Sequence, residues 1–399
     1  MPKTLKFLTP LLLMMCSQIA YAQQAELDER EVQEQIKQQA FRDGMSSIVG
    51  NLNAGSFMLF TKAIDRNNFI DRIFGLRLID GGIKRDFRED MQESTKWNDF
   101  IASLYAEEAE QGILATLLIV ESRGDRGRAV VRYDMSFFRA NYHEYELILD
   151  DSGRVRIVDW NDYFWGHQFT DRMGLTLVQA MPNPNAARKL VDFPNVRESQ
   201  VFQIMEILKA TRDRNLDRYK QIVEGMDERL KNQRVVVMLG LDAARAGRKR
   251  RSQRAALQRV HELFPRDPLL ALALLDLYLP AERYQDAYNS LAALQKHLRV
   301  DDALINARLS SVLLVMDKVD EAHELAMKSV TQEPNLELGW WSVFRARVTA
   351  EDFPAAIEGL EILEDNFGHS LGPDTLAKDP VYQKFMLSAE YRVWFEESD

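Results

Sequence analysis

Asp159 is the carboxylate around which a binding pocket in this 399-residue chain would form. It stands in RVRIVDWNDYFW (154 to 165), a strand candidate whose parity sets Val155, Ile157, Asp159, Asn161 and Tyr163 on one face. Arg154, Arg156, Val158 and Trp160 then take the other face. Val155 and Ile157 mark the first face as the covered one, so one carboxylate sits among apolar neighbours. His143, Tyr133 and Tyr145 hold odd positions on neighbouring strand candidates and would line the same cavity. Burial there would raise the carboxyl pKa. The plainer alternative is a buried Asp159 bonded to Asn161 or Tyr163.

Other reactive patterns are sparse. The six histidines are scattered, and the chain has no HExxH pair, G-x-S-x-G elbow, phosphate-cradling glycine loop or EF-hand pattern. No catalytic residue, metal-ligand set or cofactor is expected. Trp160, Tyr163, Phe164 and Trp165 end the last strand and would stack on a sugar or partner, or seal the sheet to the next helix. GRKRRSQR (247 to 254) is the strongest basic run. It would grip an acidic partner or anionic polymer, or else form a solvated loop and helix start. No aromatics interleave with it, as nucleic-acid binding would favour.

Four strands must position the pocket residues: 112 to 122, 128 to 137, 141 to 149 and 154 to 165, all rich in β-branched and aromatic residues. RGDRG and DDSG supply short turns, so the strands should form an antiparallel meander. Three helices are expected before it. The first covers Ala25 to Asp43 with a stripe of Leu27, Val32, Ile36 and Phe41; the second starts at Phe57 after Ser56; the third runs from Arg85 to Tyr105. Another helix should follow Gly166 to Ala180, where MPNPN (181 to 185) breaks it. From about Arg197 the pattern is helical to the end. The expected fold is two-domain: an α+β unit with a curved antiparallel sheet over residues 23–185, and an all-α unit over 195–399.

RYQDA, KVDEA and FPAAI place Ala287, Ala322 and Ala356 at spacings of 35 and 34, the period of stacked helical hairpins. With Tyr278, Leu309 and Trp340 at large positions and Pro334 closing a copy, residues 267 to 368 resemble the tetratricopeptide repeat family. A weaker copy is expected around Ala255. Leu275 and Phe344 depart from the family's small residue, so packing there should be looser or shifted. The resemblance implies a solenoid that binds protein. Its register sets Leu269, Leu272 and Asp276, then Leu304, Ala307, Ser311 and Leu314, then Leu338, Trp341 and Arg345 on the inner wall. Leu304, Leu338, Trp341 and Arg345 are thus the candidate partner groove. Apolar surface exposed to water is costly at about 25 cal/mol per Å2, so a partner or the chain's own N-terminal half should cover it. The alternative is that these leucines are core between hairpins.

The helix-then-meander order from Phe57 to Trp165 resembles the cone-shaped fold of the nuclear transport factor 2-like superfamily. That resemblance implies a pocket at the open end of the sheet, in which some members use an Asp or His for proton transfer.

Lys3 and Lys6, the apolar run Phe7 to Met15 and the Ala20-Tyr21-Ala22 close read as a signal peptide over residues 1–22. A run this short cannot anchor permanently, which takes about 20 residues. Export after cleavage near Ala22, to the periplasm or as a secreted protein, is expected, with no integral membrane span. Cys16, the sole cysteine, would leave with the leader, and loss of Lys3 and Lys6 would take the net charge from −10 to about −12. Such a chain is poorly attracted to nucleic acid. The expected function is an exported, non-enzymatic adaptor that binds a protein partner through its solenoid. The alternative is binding or turnover of a small hydrophobic molecule in the sheet pocket.

Overall fold

The structure, a computed structural model, describes residues 8–75, 81–104, 114–135, 139–180, 184–191 and 195–398; for residues 8–29 it describes the backbone alone. The expected leader and Cys16 therefore lie outside the described side chains.

Among the described residues five helices precede the sheet: α1 (Leu8–Asn53), α2 (Met58–Ala63), α3 (Arg66–Ile73), α4 (Gly81–Asp90) and α5 (Ser94–Leu104). The single helix expected from Phe57 breaks between α2 and α3. There the Asp65 N–H donates to the Ile157 carbonyl at 2.8 Å, and Ile64 pairs with Ile157 as a parallel bridge. The Asp65 carboxylate then caps α3 by accepting the Asn68 N–H at 3.0 Å. The helix expected from Arg85 to Tyr105 is likewise divided into α4 and α5.

The strands are β1 (Leu114–Arg123), β2 (Arg126–Met135), β3 (Arg139–Leu149), β4 (Val155–Asp162) and a short β5 (His167–Gln168). They follow one another in one antiparallel sheet, as the meander pattern requires. Gly124, at φ 60°, supplies the left-handed residue of the β1–β2 turn. An edge strand exposes unpaired backbone groups, and α1 covers those of β1. The Gln38 amide donates to the Val120 carbonyl at 2.7 Å, and Asn53 exchanges bonds of 2.7 and 2.8 Å with the Ala115 N–H and carbonyl. Of the narrow apolar stripe expected on α1, Leu27 lies outside the described side chains. Val32 and Ile36 are 52% and 55% exposed, whereas Phe41 is buried over Gly127, where a Cβ would come within 2.7 Å of its ring.

The expected parity of β4 fails in mid-strand. Asp150 lies opposite Arg154 at the hairpin, with the Asp150 N–H donating to the Arg154 carbonyl at 2.9 Å, which would set Tyr142 opposite Asp162. The Tyr163 N–H instead donates to the Tyr142 carbonyl at 3.1 Å, so one extra residue is taken up in β4. Beyond that point every side chain changes face. Trp160, expected opposite the helices, stacks on Phe69 at 5.8 Å and meets Phe60 edge-on at 5.9 Å.

Two compact units interleave along the chain. The first comprises the residues to Phe69, Glu89–Tyr133 and Glu144–Trp160; the second comprises Ile70–Arg88, Asp134–His143 and everything from Asn161. Part of the expected boundary, residues 192–194, lies outside the described residues.

From Phe169 the second unit is helical: α6 (Phe169–Ala180), α7 (Pro184–Lys189), α8 (Glu198–Arg212), α9 (Leu216–Glu224), α10 (Glu228–Lys231), α11 (Arg234–Ala246), α12 (Arg250–Leu263), α13 (Ala271–Tyr278), α14 (Tyr284–Leu298), α15 (Ala303–Val315), α16 (Val319–Gln332), α17 (Glu337–Thr349) and α18 (Phe353–Phe367). Five hairpins can be read from the backbone. Arg214, Arg248, Glu282, Asp317 and Glu351 all have positive φ, at spacings of 34, 34, 35 and 34. Each stands two residues before the second helix of a pair: α9, α12, α14, α16 and α18. In four of the five turns the next N–H reaches back five residues, as from Lys318 to the Leu313 carbonyl at 3.0 Å, which satisfies the helix end.

Ala287, Ala322 and Ala356 are each the fourth residue of their helix and each 0% exposed. The equivalent residues of α12 and α9 are Gln253 and Tyr219, so the copy expected at Ala255 is centred two residues earlier. Tyr219 is accommodated because Gly240 on α11 faces it; a Cβ there would lie 2.5 Å from the phenol oxygen. Phe344 is accommodated similarly. Gly359 lies against its backbone, and its ring stacks on Tyr382 at 5.2 Å, within the short C-terminal helices that cover the last hairpin. Packing at Phe344 is tight, contrary to the expectation of looseness.

Candidate functional site

Of the four expected pocket residues, Tyr133 and Tyr145 are brought together, with their hydroxyls 2.6 Å apart. Tyr145 also packs edge-on to Phe60 at 6.1 Å and beside Trp160 at 5.7 Å, so aromatic rings fill the space around it. Asp159 is 0% exposed, and its carboxylate accepts the Trp160 N–H at 2.9 Å. His143 turns to other groups: Nε2 lies 3.0 Å from the Asn141 amide nitrogen and 3.4 Å from Asp162.

Asp162 is the carboxylate that parity missed, because the extra residue in β4 sets it beside His143. Its Oδ1 accepts from the Asn141 amide at 3.0 Å and from the N–H groups of Phe164 and Trp165 at 3.0 and 3.1 Å. Burial pushes its pKa up, but the His143 ring and these donors outweigh burial and hold it below the ordinary value. This arrangement fastens the turn after β4. The one-letter signal was the Asp four residues before Gly166, an Asx-turn pattern.

The expected groove is largely occupied by the chain itself. Leu304 is 2% exposed and belongs to the core. Trp341 is half-buried against His369 at 5.2 Å, and its Nε1 donates to Glu337 at 3.3 Å. Arg345 pairs with Asp379 at 3.1 Å. Leu338 is half-buried. Near the join of α14 and α15, Tyr142 donates to Asp302 at 2.6 Å and the Tyr163 ring meets His297 at 6.1 Å.

The basic run takes a different form. Arg248 and Lys249 lie in the turn before α12, and Arg250, Arg251 and Arg254 on its first turns; all five are exposed, and none forms an ion pair among the described residues. Only Leu257 and Val260 of α12 are buried, and Arg250, Arg251, Arg254, Ala255 and Glu262 are exposed. A hollow flanks it on either side. One, of 340 Å3, has Ala255, Leu277 and Ala281 as its apolar surface and Arg251, Arg254 and Arg283 around them. The other, of 190 Å3, is lined by Val223, Val237, Ala244 and Ala256 with Lys220, Lys231 and Arg259. No carboxylate lines either hollow. Lys231, Arg259 and Arg283 pair with Glu228, Glu262 and Asp286 at 2.5, 3.4 and 2.8 Å, so the excess positive charge over these small apolar depressions is that of Lys220, Arg251 and Arg254.

A second polar group lies where β4 passes into α6. Arg172 stands 3.6 Å above the Trp165 ring, Arg245 lies 5.5 Å from it, and Arg234 donates to the Gly166 carbonyl at 2.9 Å. His167 Nε2, Asp242 Oδ1 and Arg245 Nη1 are enclosed without hydrogen-bond partners among the described residues. Burial, followed by the positive charges of Arg234, Arg172 and Arg245, pushes the His167 pKa down to about 4. Burial raises that of Asp242 against the pull of Arg245 and Arg172. Thus the aromatic cluster ending β4 seals the join to the helices. Its rings are engaged by arginines of the same unit.

No protein-family model matches this chain, and no curated protein is significantly similar to it. Among the described residues no group of three His, Cys, Asp or Glu side chains could hold a metal ion. No described helix is long and apolar enough to cross a membrane.

Proposed function

We propose that this protein is an exported, non-enzymatic adaptor whose tetratricopeptide-like solenoid holds an acidic segment of a protein partner across α12. The observation that carries this reading is the pair of apolar hollows beside α12, lined by six cations of which Lys220, Arg251 and Arg254 have no ion-pair partner among the described residues. An amphipathic segment would set small apolar side chains into the hollows and carboxylates against Arg251 and Arg254. Burial supplies affinity, and charge supplies orientation and rate. The repeat supports the same reading, because stacked hairpins hold a surface rigid over several layers. Export rests on the leader at residues 1–22.

A photoactivatable residue in place of Ala255, which is exposed between the hollows, tests the proposal in the cell envelope. The expected product is a crosslink to an Asp/Glu-rich segment, lost when Arg251→Glu and Arg254→Glu are added. A crosslink that survives both charge reversals would contradict it.

A further inference from the structure

The first unit carries a cleft of 720 Å3, within the size range of small-molecule sites. The end of α2, the start of α3, the start of α5 and the β3–β4 turn form its walls. Four cations line it: Lys62, Arg66, Arg154 and Arg156.

The two carboxylates of the cleft already have partners. Asp65 caps α3, accepting from the Asn68 N–H at 3.0 Å and its amide at 2.8 Å. Asp150 accepts from the Ser152 hydroxyl at 2.6 Å and pairs with Arg156 at 3.1 Å and Arg154 at 3.4 Å. The Ser152 hydroxyl first, then the backbone N–H groups of Arg154 and Ser152 and the charge of Arg154, hold its pKa well below the ordinary carboxylate value. Lys62 and Arg66, by contrast, have no carboxylate partner among the described residues. Arg66 is fixed by a bond to the Gln92 carbonyl at 2.9 Å and by the Trp97 ring 5.2 Å away. The cleft therefore carries fixed positive charge beyond what its own acids neutralise.

The remaining lining joins buried Thr61 and Ile64 to the hydroxyl and amide groups of Asn67, Gln92, Ser94 and Asn98, which are all exposed. Trp97 is 2% exposed and offers no face to a flat ring, which disfavours a nucleobase. A ligand matched to this wall has many hydroxyls and one or two anionic groups. We infer that the cleft binds an acidic saccharide, its sugar hydroxyls on the amide wall and its anionic group on Lys62, Arg66 and Arg154. This site is independent of the α12 surface.

Calorimetric titration of the full chain with digalacturonic acid, the neutral galactobiose and inorganic phosphate tests the inference. Lys62→Ala with Arg154→Ala is the companion variant, since both side chains are exposed and the core is untouched. The expected result is binding of the acidic disaccharide at least about tenfold tighter than of the neutral one, weakened about tenfold or more in the double variant. Absence of binding, equal binding of acidic and neutral sugars, or unchanged binding by the variant would overturn the inference. Phosphate bound as tightly as the disaccharide would overturn the saccharide assignment, because charge alone would then be read.

Discussion

Tyr142 of β3 donates its hydroxyl to Oδ2 of Asp302 at 2.6 Å, and the same oxygen accepts the Ile305 N–H at 3.1 Å as the cap of α15. Both residues are within 1% of complete burial. One carboxylate therefore starts a repeat helix and seats the end of a strand on it. The start of α15 is thus met by Tyr142, a residue of the same compact unit.

Tyr142→Phe should cost about 1 to 3 kcal/mol, because it leaves a buried carboxylate short of one donor. Asp302→Ala should cost more, since it also removes the cap. Urea unfolding at pH 7 measures both. A Tyr142→Phe protein as stable as wild type would show that the bond contributes nothing net.

Gly240→Ala should destabilise by about 1 to 3 kcal/mol, the usual penalty of overpacking, since its Cβ would meet Tyr219 Oη at 2.5 Å and Cζ at 2.7 Å. Tyr219 cannot swing away freely, because its hydroxyl donates to the Val236 carbonyl at 2.7 Å. Combining Gly240→Ala with Tyr219→Leu should recover much of the loss, giving a coupling term in a double-mutant cycle. Strict additivity would contradict the packing described.

His167 gives the second unit a pH dependence of definite sign. Its folded pKa of about 4 lies below the ordinary 6.5, so below pH 6.5 the unfolded chain binds the proton that the folded chain refuses. Its neutral form is compatible with the fold above pH 6.5, and stability is lost as pH falls from 6.5 toward 4, by up to about 3 kcal/mol. His167→Phe should flatten the urea midpoint over that window. An unchanged slope in the variant would assign the titration elsewhere.

The repeat was legible wherever packing demands a small residue. Ala287, Ala322 and Ala356 could be found because helix contact leaves no room for more. The register of the two earlier hairpins was not legible, since Tyr219 and Gln253 stand at the equivalent places, and Tyr219 is tolerated only through Gly240 on a different helix. The turns were silent for another reason. Arg214, Arg248, Glu282, Asp317 and Glu351 take a left-handed conformation in which glycine is the usual signal, so sequence alone marks none of them. Strand positions were legible from alternation, but the extra residue in β4 depends on pairing with β3. It exchanged Asp159 for Asp162 as the neighbour of His143. The basic run was visible as charge. Its significance lies in the apolar hollows beside it, which only packing of α9, α10, α11 and α13 against α12 creates.

The adaptor reading is tested most directly by fluorescence anisotropy of a labelled amphipathic peptide built from Glu, Leu and Ala, titrated with the wild-type chain and with Arg251→Glu/Arg254→Glu. Both arginines are exposed and unpaired, so the variant should unfold within about 0.5 kcal/mol of wild type. The expected result is saturable binding by the wild type that weakens with added salt and falls at least about tenfold in the variant. Equal binding by the two proteins, or no binding by either, would contradict a partner surface at α12.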